Sequence, residues 1–205
     1  LVAAPLRSRS LTIVESDICI VLTLNCSSLC LCWLEDSAIF VLAEVRLCYT
    51  RASMRVICQS FADTLQLGQR LGQALRGGEV IVLVGDIGAG KTTLVKGVAR
   101  GLAITDDIQS PTFTISRLYH GRDDIQLAHY DFYRLGDAGV MQLELAEAIA
   151  EPRTVTIIEW AQAVADVVPP DHLTITITAQ SETVRWLDIE AGGTVSTQLL
   201  QEVLA

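Results

Sequence analysis

The stretch that decides the fold is Gly85-Asp86-Ile87-Gly88-Ala89-Gly90-Lys91-Thr92-Thr93, which directly follows the apolar run Val80-Ile81-Val82-Leu83-Val84. An uninterrupted apolar run of this length predicts a buried strand, and Leu94 to Leu102 predicts a helix behind the loop. The glycines leave backbone N–H groups open to a phosphate, because no Cβ blocks the approach. Strand, glycine-rich loop and helix in this order predict a P-loop that binds a nucleoside triphosphate with magnesium.

The residues of this glycine-rich loop (residues 85–93) have separate predicted roles. Lys91 would reach the β- and γ-phosphates, and the hydroxyl of Thr92 would reach the magnesium ion. Nucleotide contacts are expected from the whole loop, that is from Gly85, Asp86, Ile87, Gly88, Ala89, Gly90, Lys91, Thr92 and Thr93. The alternative interpretation is a glycine-rich turn between a strand and a helix, without a ligand.

The composition changes at about Met54. Residues 1–53 hold five of the six cysteines and contain neither glycine nor lysine. We interpret residues 1–53 as a non-native or disordered N-terminal extension, Met54 as the native start, and residues 54–205 as one P-loop domain. The competing interpretation is a membrane or targeting segment over Ile18 to Leu34. That stretch includes four polar residues and falls short of the ~20 apolar positions of a spanning helix.

Cysteine and charge narrow the class of protein further. The pair Cys30-Leu31-Cys32 lacks the Cys-x-x-Cys spacing and the histidines of a zinc site, and only Cys58 follows Met54. The domain therefore needs no disulfide, which fits a reducing cytoplasm. The chain carries a net charge of −9, and its only lysines are Lys91 and Lys96. Direct, tight binding of nucleic acid is disfavoured, so a role in RNA metabolism would depend on a protein partner.

The apolar patterns predict an α/β domain with a P-loop NTPase-like mixed sheet flanked by helices and containing antiparallel strand pairs. Met54 to Cys58 is expected to lead straight into the first helix. Ser60 is its candidate N-cap. The expected helices are 61–75, 94–102, 137–150 and 197–204. The expected strands are 80–84, 113–120, 125–130, 154–158, 173–178 and 184–190.

Ser110-Pro111-Thr112-Phe113 lies about twenty residues past Lys91. P-loop enzymes often keep a segment there that responds to the γ-phosphate. Pro111 restricts Ser110 and helps to present the hydroxyl of Thr112. A plain turn that enters a strand is the alternative for the segment taken alone, and the nearby P-loop favours the switch.

Two strands are predicted to end in an acidic residue. Asp131 ends the run from Ile125, and Glu159 ends the run from Thr154. Ligands of α/β folds bind at the carboxyl ends of strands, so either acid could bind the metal or orient its water. Their roles are interchangeable on this pattern, and Asp131 could instead be a cap or turn residue.

Neighbours of the two acids are harder to assign. His129 is interpreted as a packing residue rather than a catalytic one. Trp160 could cover the site, serve a partner surface, or pack in the core.

Missing motifs also discriminate between classes of protein. No lysine beyond Lys96 supplies the Asn/Thr-Lys-x-Asp segment with which GTPases read guanine, so adenine is the expected base. Arg117, Arg122, Arg134 and Arg153 are scattered, whereas many small-molecule kinases close an arginine-rich lid. This weakens the kinase interpretation.

Taken together, the loop at 85–93, Ser-Pro-Thr-Phe at 110–113, His-Tyr-Asp-Phe-Tyr-Arg-Leu at 129–135 and Ile-Glu-Trp at 158–160 closely resemble the TsaE (YjeE) family. The resemblance covers about residues 54–192. It implies a bacterial ATPase that uses ATP and Mg²⁺ to support the threonylcarbamoyl modification of adenosine beside the tRNA anticodon. It also implies a complex with the TsaB and TsaD proteins, with TsaC supplying the activated donor and tRNA reached indirectly.

The resemblance extends to single residues. It implies that Lys91 and Thr92 hold phosphate and magnesium, that Thr112 is a switch residue, and that Asp131 and Glu159 serve the metal or water. Trp160 matches a tryptophan near the site. Thr64 matches a helix that lies by the adenine. Three hypotheses follow: an ATPase in a tRNA-modifying complex, a small-molecule kinase, and a nucleotide-dependent binding module.

Overall fold

The structure, a computed structural model, describes residues 9–15, 18–24, 53–135 and 139–204. Within these ranges one mixed sheet has the strand order β1-β2-β3-β9-β8-β4-β7-β6-β5. Its strands are β1 Arg9–Glu15, β2 Ile18–Leu24, β3 Ser53–Cys58, β4 Val80–Val84, β5 Ser116–His120, β6 Gln126–Asp131, β7 Thr154–Glu159, β8 Leu173–Ala179 and β9 Arg185–Ala191. The predicted mixed sheet and its antiparallel pairs β5/β6 and β8/β9 are confirmed.

Helices cover both faces of the sheet. They are α1 Phe61–Ala74, α2 Lys91–Gly101, α3 Met141–Ala150 and α4 Thr194–Leu204, with short 3-10 turns at Arg122–Asp124 and Ala161–Val164. One large core lies between the sheet and α1, α2 and α4, and a smaller one lies under α3. Each predicted helix is present, with ends shifted by a few residues. The first residues of the predicted 137–150 helix fall partly outside the described residues.

Helix α1 begins at a capping box. The Ser60 hydroxyl accepts a hydrogen bond from the Asp63 amide at 3.2 Å, and the Asp63 carboxylate accepts one from the Ser60 amide at 2.9 Å. Two amides at the helix start that lack intrahelical partners are thereby satisfied. The predicted N-cap at Ser60 is confirmed.

Helices α1 and α2 approach closely because glycines face each other at their crossing. A Cβ on Gly68 would lie 2.4 Å from the Leu94 carbonyl oxygen, and one on Gly72 would lie 2.1 Å from that of Val98. Gly97 and Gly101 make the matching approach from α2. This contact fixes the position of α2, which carries the glycine-rich loop at its start.

One prediction about secondary structure is wrong, and one strand was not predicted. Residues 53–58 lead directly into α1 as expected, but they do so as strand β3, which pairs with β9 and β2 and buries alternate side chains. The strand predicted from Phe113 begins at Ser116. Before it, the Thr114 and Ile115 amides bond back to the Pro111 carbonyl and form a turn, which leaves Phe113 exposed.

The segment before Met54 contributes two strands within its described part. β1 and β2 form an antiparallel pair, and β2 continues the sheet beyond β3. The interpretation of Met54 as the native start stays a prediction. Cys30-Leu31-Cys32 and most of the Ile18 to Leu34 stretch lie outside the described residues. None of the described helices has the length and apolar character needed to cross a bilayer.

Candidate functional site

The glycine-rich loop leaves β4 and enters α2 with backbone angles that suit glycine. Gly88 has φ 78° and Gly90 has φ 110°, both in the left-handed region that other residues rarely adopt. Gly85 has φ 152°, and a Cβ there would lie 2.6 Å from the Ile177 carbonyl oxygen. None of the described side chains caps α2 at Gly90. Its first backbone N–H groups therefore provide the kind of end that binds anions.

Lys91 is held inside this loop. Its side chain is 6% exposed, and Nζ donates hydrogen bonds to the carbonyl oxygens of Gly85 at 2.8 Å and Asp86 at 3.0 Å. Nζ lies 3.8 Å from Oε2 of Glu159 and 5.1 Å from the centroid of the Trp160 ring. A buried ammonium with these neighbours is a localised positive charge at the carboxyl edge of the sheet.

Glu159 and Asp131 lie side by side at that edge. β6 and β7 are parallel, and their register pairs Asp131 with Glu159, while Leu83 of β4 pairs with Glu159 from the other side. Both acids are buried. The prediction that two strands end in acidic residues beside the loop is therefore confirmed as geometry.

Asp131 is bonded to the segment after Ser110. Its Oδ2 accepts hydrogen bonds from the Thr112 hydroxyl and, at 3.1 Å, from the Ser110 hydroxyl. The two hydroxyls are 2.6 Å apart, and Oδ1 accepts the Tyr133 amide at 3.0 Å. The predicted switch residue and the predicted acid are thus in direct contact. Ser110 contributes a hydroxyl that the sequence had not singled out as functional.

His129 contacts the second acid. Its Nε2 lies 3.0 Å from Oε1 of Glu159, and the ring is fully buried. Interpretation of His129 as a packing residue missed this contact. Its two-residue spacing from Asp131 was a usable signal, because alternate residues of a strand share a face.

Trp160 follows β7 in a left-handed conformation, with φ 58° and ψ 49°. Its ring lies 5.0 Å from that of Tyr133 and also faces Lys91. The side chain is half-buried and borders a cavity of about 460 Å³ that includes Gly85 and Asp86 among its lining residues. Trp160 therefore covers the lysine while also packing against the smaller core.

Arg185 is a second residue that sequence reasoning missed. From the start of β9, its Nε donates to the Ala89 carbonyl at 2.8 Å, and its Nη1 donates to the carbonyl oxygens of Ser181, Glu182 and Val184. It ties the β8–β9 turn to the glycine-rich loop. An arginine at the edge of an alternating strand gives no sign of such a partner.

The remaining predicted residues lie at different distances from this cluster. Thr92 and Thr93 lie in the first turn of α2 and are half-buried. Thr64 is buried in α1, where its hydroxyl donates to the Ser60 carbonyl at 3.4 Å. Burial raises the pKa of the neighbouring Cys58 thiol to about 11, against a smaller lowering by a hydrogen bond with Thr64. A nucleotide contact for Thr64 stays a prediction.

Tyr130 closes the opposite side of β6. Its ring stacks on Phe132 with centroids 5.9 Å apart, and its hydroxyl donates to Glu144. Burial, with further contributions from Glu144, raises the pKa of Tyr130 to about 12. The phenol therefore remains neutral at physiological pH and supports α3 rather than the acidic edge.

A parallel strand that enters a helix through a left-handed glycine loop, beside two acidic strand ends, defines a P-loop NTPase-like α/β protein. The crystal structure of "Bacillus subtilus YdiB" has the same fold, with a TM-score of 0.63 and 27% identity over 76% of this chain and 97% of that one. The chain belongs to the TsaE family. The family model described as "Threonylcarbamoyl adenosine biosynthesis protein TsaE" matches residues 58–187.

Similar proteins carry the same description. The "tRNA threonylcarbamoyladenosine biosynthesis protein TsaE" of Treponema pallidum is 40% identical over 124 residues, which is 60% of this chain and 90% of that protein. The protein of the same name from Mycobacterium leprae is 37% identical over 150 residues, covering 69% and 89%. The one from Nostoc is 48% identical over 104 residues, covering 49% and 63%. The resemblance drawn from four motifs is confirmed at the level of family.

Proposed function

We propose that this protein is a magnesium-dependent ATPase that acts in a complex making the threonylcarbamoyladenosine modification beside the anticodon of tRNA. The observation that carries the proposal is the placement of the buried Lys91 ammonium in a glycine-rich loop, 3.8 Å from Glu159 and close to the strand end that bears Asp131. Membership of the TsaE family supports the tRNA pathway.

In this proposal ATP binds along the glycine-rich loop. The loop amides and Lys91 hold the β- and γ-phosphates, so Lys91 exchanges the Gly85 and Asp86 carbonyls for phosphate oxygens. Trp160 faces the lysine and would limit the access of water to the bound phosphates. The adenine contact expected for Thr64 belongs to the same proposal.

The donor set at the site suits a magnesium ion. The Thr92 hydroxyl and the Asp131 and Glu159 carboxylates offer hard oxygen ligands, which Mg²⁺ prefers, and the remaining positions would go to phosphate and water. When bound, the ion supplies charge neutralisation at the phosphates. We assign Thr92 and Asp131 chiefly to the metal and Glu159 to the attacking water or a metal-bound water.

Thr112 links nucleotide state to conformation in this scheme. Its hydroxyl bonds Asp131, and contact with the γ-phosphate would draw it away and order the Ser110 to Phe113 segment differently. Hydrolysis then releases the segment. A partner protein that senses residues 110–113 would respond to ATP turnover.

The proposed partners are the TsaB and TsaD proteins, and tRNA is reached through them. A net charge of −9 supports this indirect route, because a phosphate backbone repels an acidic surface. We propose a cytoplasmic location, in keeping with the free thiol at Cys58.

Phosphate release tests the proposal. The 205-residue chain is assayed with ATP and Mg²⁺, alone and with TsaB and TsaD proteins from the same source. We expect slow release alone, stimulation by the pair, and a loss of about a hundredfold or more in Lys91→Ala. Lys96→Ala removes the other lysine of the chain, which lies further along α2, and should keep the wild-type rate.

Three outcomes would contradict the proposal. Undiminished hydrolysis in Lys91→Ala would remove the role of the loop. A phosphorylated small molecule in place of free phosphate would favour a kinase. Partner exchange that depends on ATP binding but not on its hydrolysis would favour a nucleotide-dependent binding module.

A further inference from the structure

His129 is the fully buried imidazole of β6, and it lies on the sheet face that carries α2. Residues Leu127, His129 and Asp131 alternate towards that face, and Leu127 belongs to the larger core. In the parallel register His129 pairs with Ile157, so Glu159 is its diagonal neighbour two residues further along β7. The ring therefore lies two residues further from the carboxyl edge of the sheet than the two acids.

One nitrogen of the ring is bonded and the other is not. Nε2 lies 3.0 Å from Oε1 of Glu159, whereas Nδ1 is buried without a hydrogen-bond partner among the described residues. Glu159 also faces the Lys91 ammonium through its other oxygen, Oε2, at 3.8 Å. A carboxylate oxygen accepts hydrogen bonds, so the 3.0 Å contact requires a tautomer in which Nε2 carries the proton and donates it to Oε1.

Packing alone does not account for this residue. A ring with one nitrogen left unpartnered in the core costs free energy that a leucine or methionine would avoid. The bond from Nε2 offsets this cost, because it gives the two oxygens of Glu159 different partners. Oε1 is held from within the sheet, and Oε2 is directed to Lys91 and the phosphate site.

We propose that His129 is a positioning residue that sets the orientation of the Glu159 carboxylate. In the proposed ATPase, on which this inference rests, His129 does not contact the nucleotide. It acts by stopping rotation of Glu159, so that Oε2 keeps its alignment when Lys91 moves from the loop carbonyls to phosphate. Groups that orient a functional carboxylate commonly contribute about 10–100-fold to activity.

A matched pair of substitutions separates positioning from packing. His129→Gln offers an amide N–H near the place of Nε2, and His129→Met has similar length and no donor. We expect His129→Met to lower kcat about tenfold or more with the KM for ATP changed by less than about threefold. His129→Gln should recover kcat to within about threefold of the wild type. Equal losses in the two variants, no loss in either, or a change confined to KM would overturn the inference.

Thermal unfolding of the two variants guards against a folding artefact. If both unfold, nitrogen-15 NMR of histidine-labelled wild-type protein gives a readout that needs neither variants of His129 nor turnover. The Nε2–H tautomer is expected for His129, and Glu159→Gln should shift its resonance. His172, whose ring bonds the Pro169 carbonyl at 2.6 Å, should keep its resonance and is the internal control.

The NMR result also distinguishes the two levels of the proposal. An Nδ1–H tautomer, or a His129 resonance that Glu159→Gln leaves unchanged, overturns the positioning role even if ATP is hydrolysed. Absence of phosphate release from the wild type with active partners rejects the ATPase instead. In that case the NMR result alone decides whether His129 positions Glu159.

Discussion

The hydroxyl of Thr112 donates a hydrogen bond to Oδ2 of Asp131, across 19 residues of sequence. This bond joins a turn, whose shape is set by Pro111, to the carboxyl end of β6. The turn and an acidic residue of the sheet edge therefore share one contact. A ligand that competes for either group would break this hydrogen bond.

Thr112→Val tests this contact, because valine keeps the shape of threonine and removes the hydroxyl. We expect phosphate release at saturating ATP to fall about tenfold or more, since Asp131 loses a donor and, in the proposed function, the γ-phosphate loses the hydroxyl that contacts it. Thr114→Val is the matched control, as Thr114 lies exposed in the same turn. Indistinguishable rates for the two variants across a magnesium titration would argue against a shared role of Thr112 and Asp131.

Arg185→Met should loosen the glycine-rich loop. The substitution removes the 2.8 Å bond to the Ala89 carbonyl while keeping an aliphatic side chain of similar reach. We expect the KM for ATP to rise several-fold with a smaller change in kcat, because the loop loses preorganisation rather than a reacting group. Steady-state kinetics measure both constants. A fall in kcat with KM unchanged would instead place Arg185 among the groups that act on the transition state.

Gly72→Ala should destabilise the fold. Alanine favours a helix by about 1 kcal/mol over glycine, but its Cβ would lie 2.1 Å from the Val98 carbonyl oxygen and force α1 and α2 apart. We expect a net loss of about 1–3 kcal/mol in the free energy of unfolding, measured by urea denaturation. Gln66→Ala, at an exposed position of the same helix, should be close to neutral. A stabilised Gly72→Ala would show that the helices can separate at little cost.

Asp171→Ala removes the group that satisfies the start of α4. The carboxylate accepts hydrogen bonds from the Val195 amide at 2.8 Å and from the Ser196 amide at 3.0 Å. Loss of such a cap costs about 1 kcal/mol. Urea denaturation at neutral pH should show this difference, and Asp166→Ala, at an exposed position, is the control.

The same cap has a predicted pH dependence. Partial burial acts to raise the pKa of Asp171, but the hydrogen bonds from Ser196 and Val195 outweigh it, so the pKa lies below its usual value. A carboxylate with a lowered folded pKa stabilises the protein above its unfolded pKa of about 3.9, and that contribution is lost as the pH falls through the folded pKa. The difference in the free energy of unfolding between the wild type and Asp171→Ala should therefore become smaller below about pH 4. A difference in the free energy of unfolding that stays the same between pH 7 and pH 3.5 would contradict a lowered pKa for Asp171.

Local patterns predicted the elements whose causes are local. The apolar run at 80–84, the capping box at Ser60 and the two acidic strand ends were all readable, because each depends on residues within a few positions of one another. Strand β3 was missed although Met54, Val56 and Cys58 alternate correctly. Its partner β9 lies about 130 residues away along the chain.

The misses at the site have a similar cause. Phenylalanine and threonine favour strands, so residues 113–115 were assigned to β5, whereas hydrogen bonds back to Pro111 hold them in a turn. The contacts of His129 and Arg185 depend on the register of β6 with β7 and on the position of β9. Residue spacing places His129 on the same strand face as Asp131, but it does not identify the partner of His129 or of Arg185. The sequence allowed us to predict which residues lie at the site, but not which of them form hydrogen bonds with one another.

The two carbonyl bonds of Lys91 have a consequence for which anions can compete at the loop. Two of the three N–H donors of the ammonium already bond the oxygens of Gly85 and Asp86, so an arriving anion competes with these two bonds for the same donors. A lone sulfate or free phosphate has little else with which to offset that exchange. A triphosphate spreads its contacts over the whole loop, and a nucleotide-sized ligand should therefore be favoured over the small inorganic ions that crowd a cell.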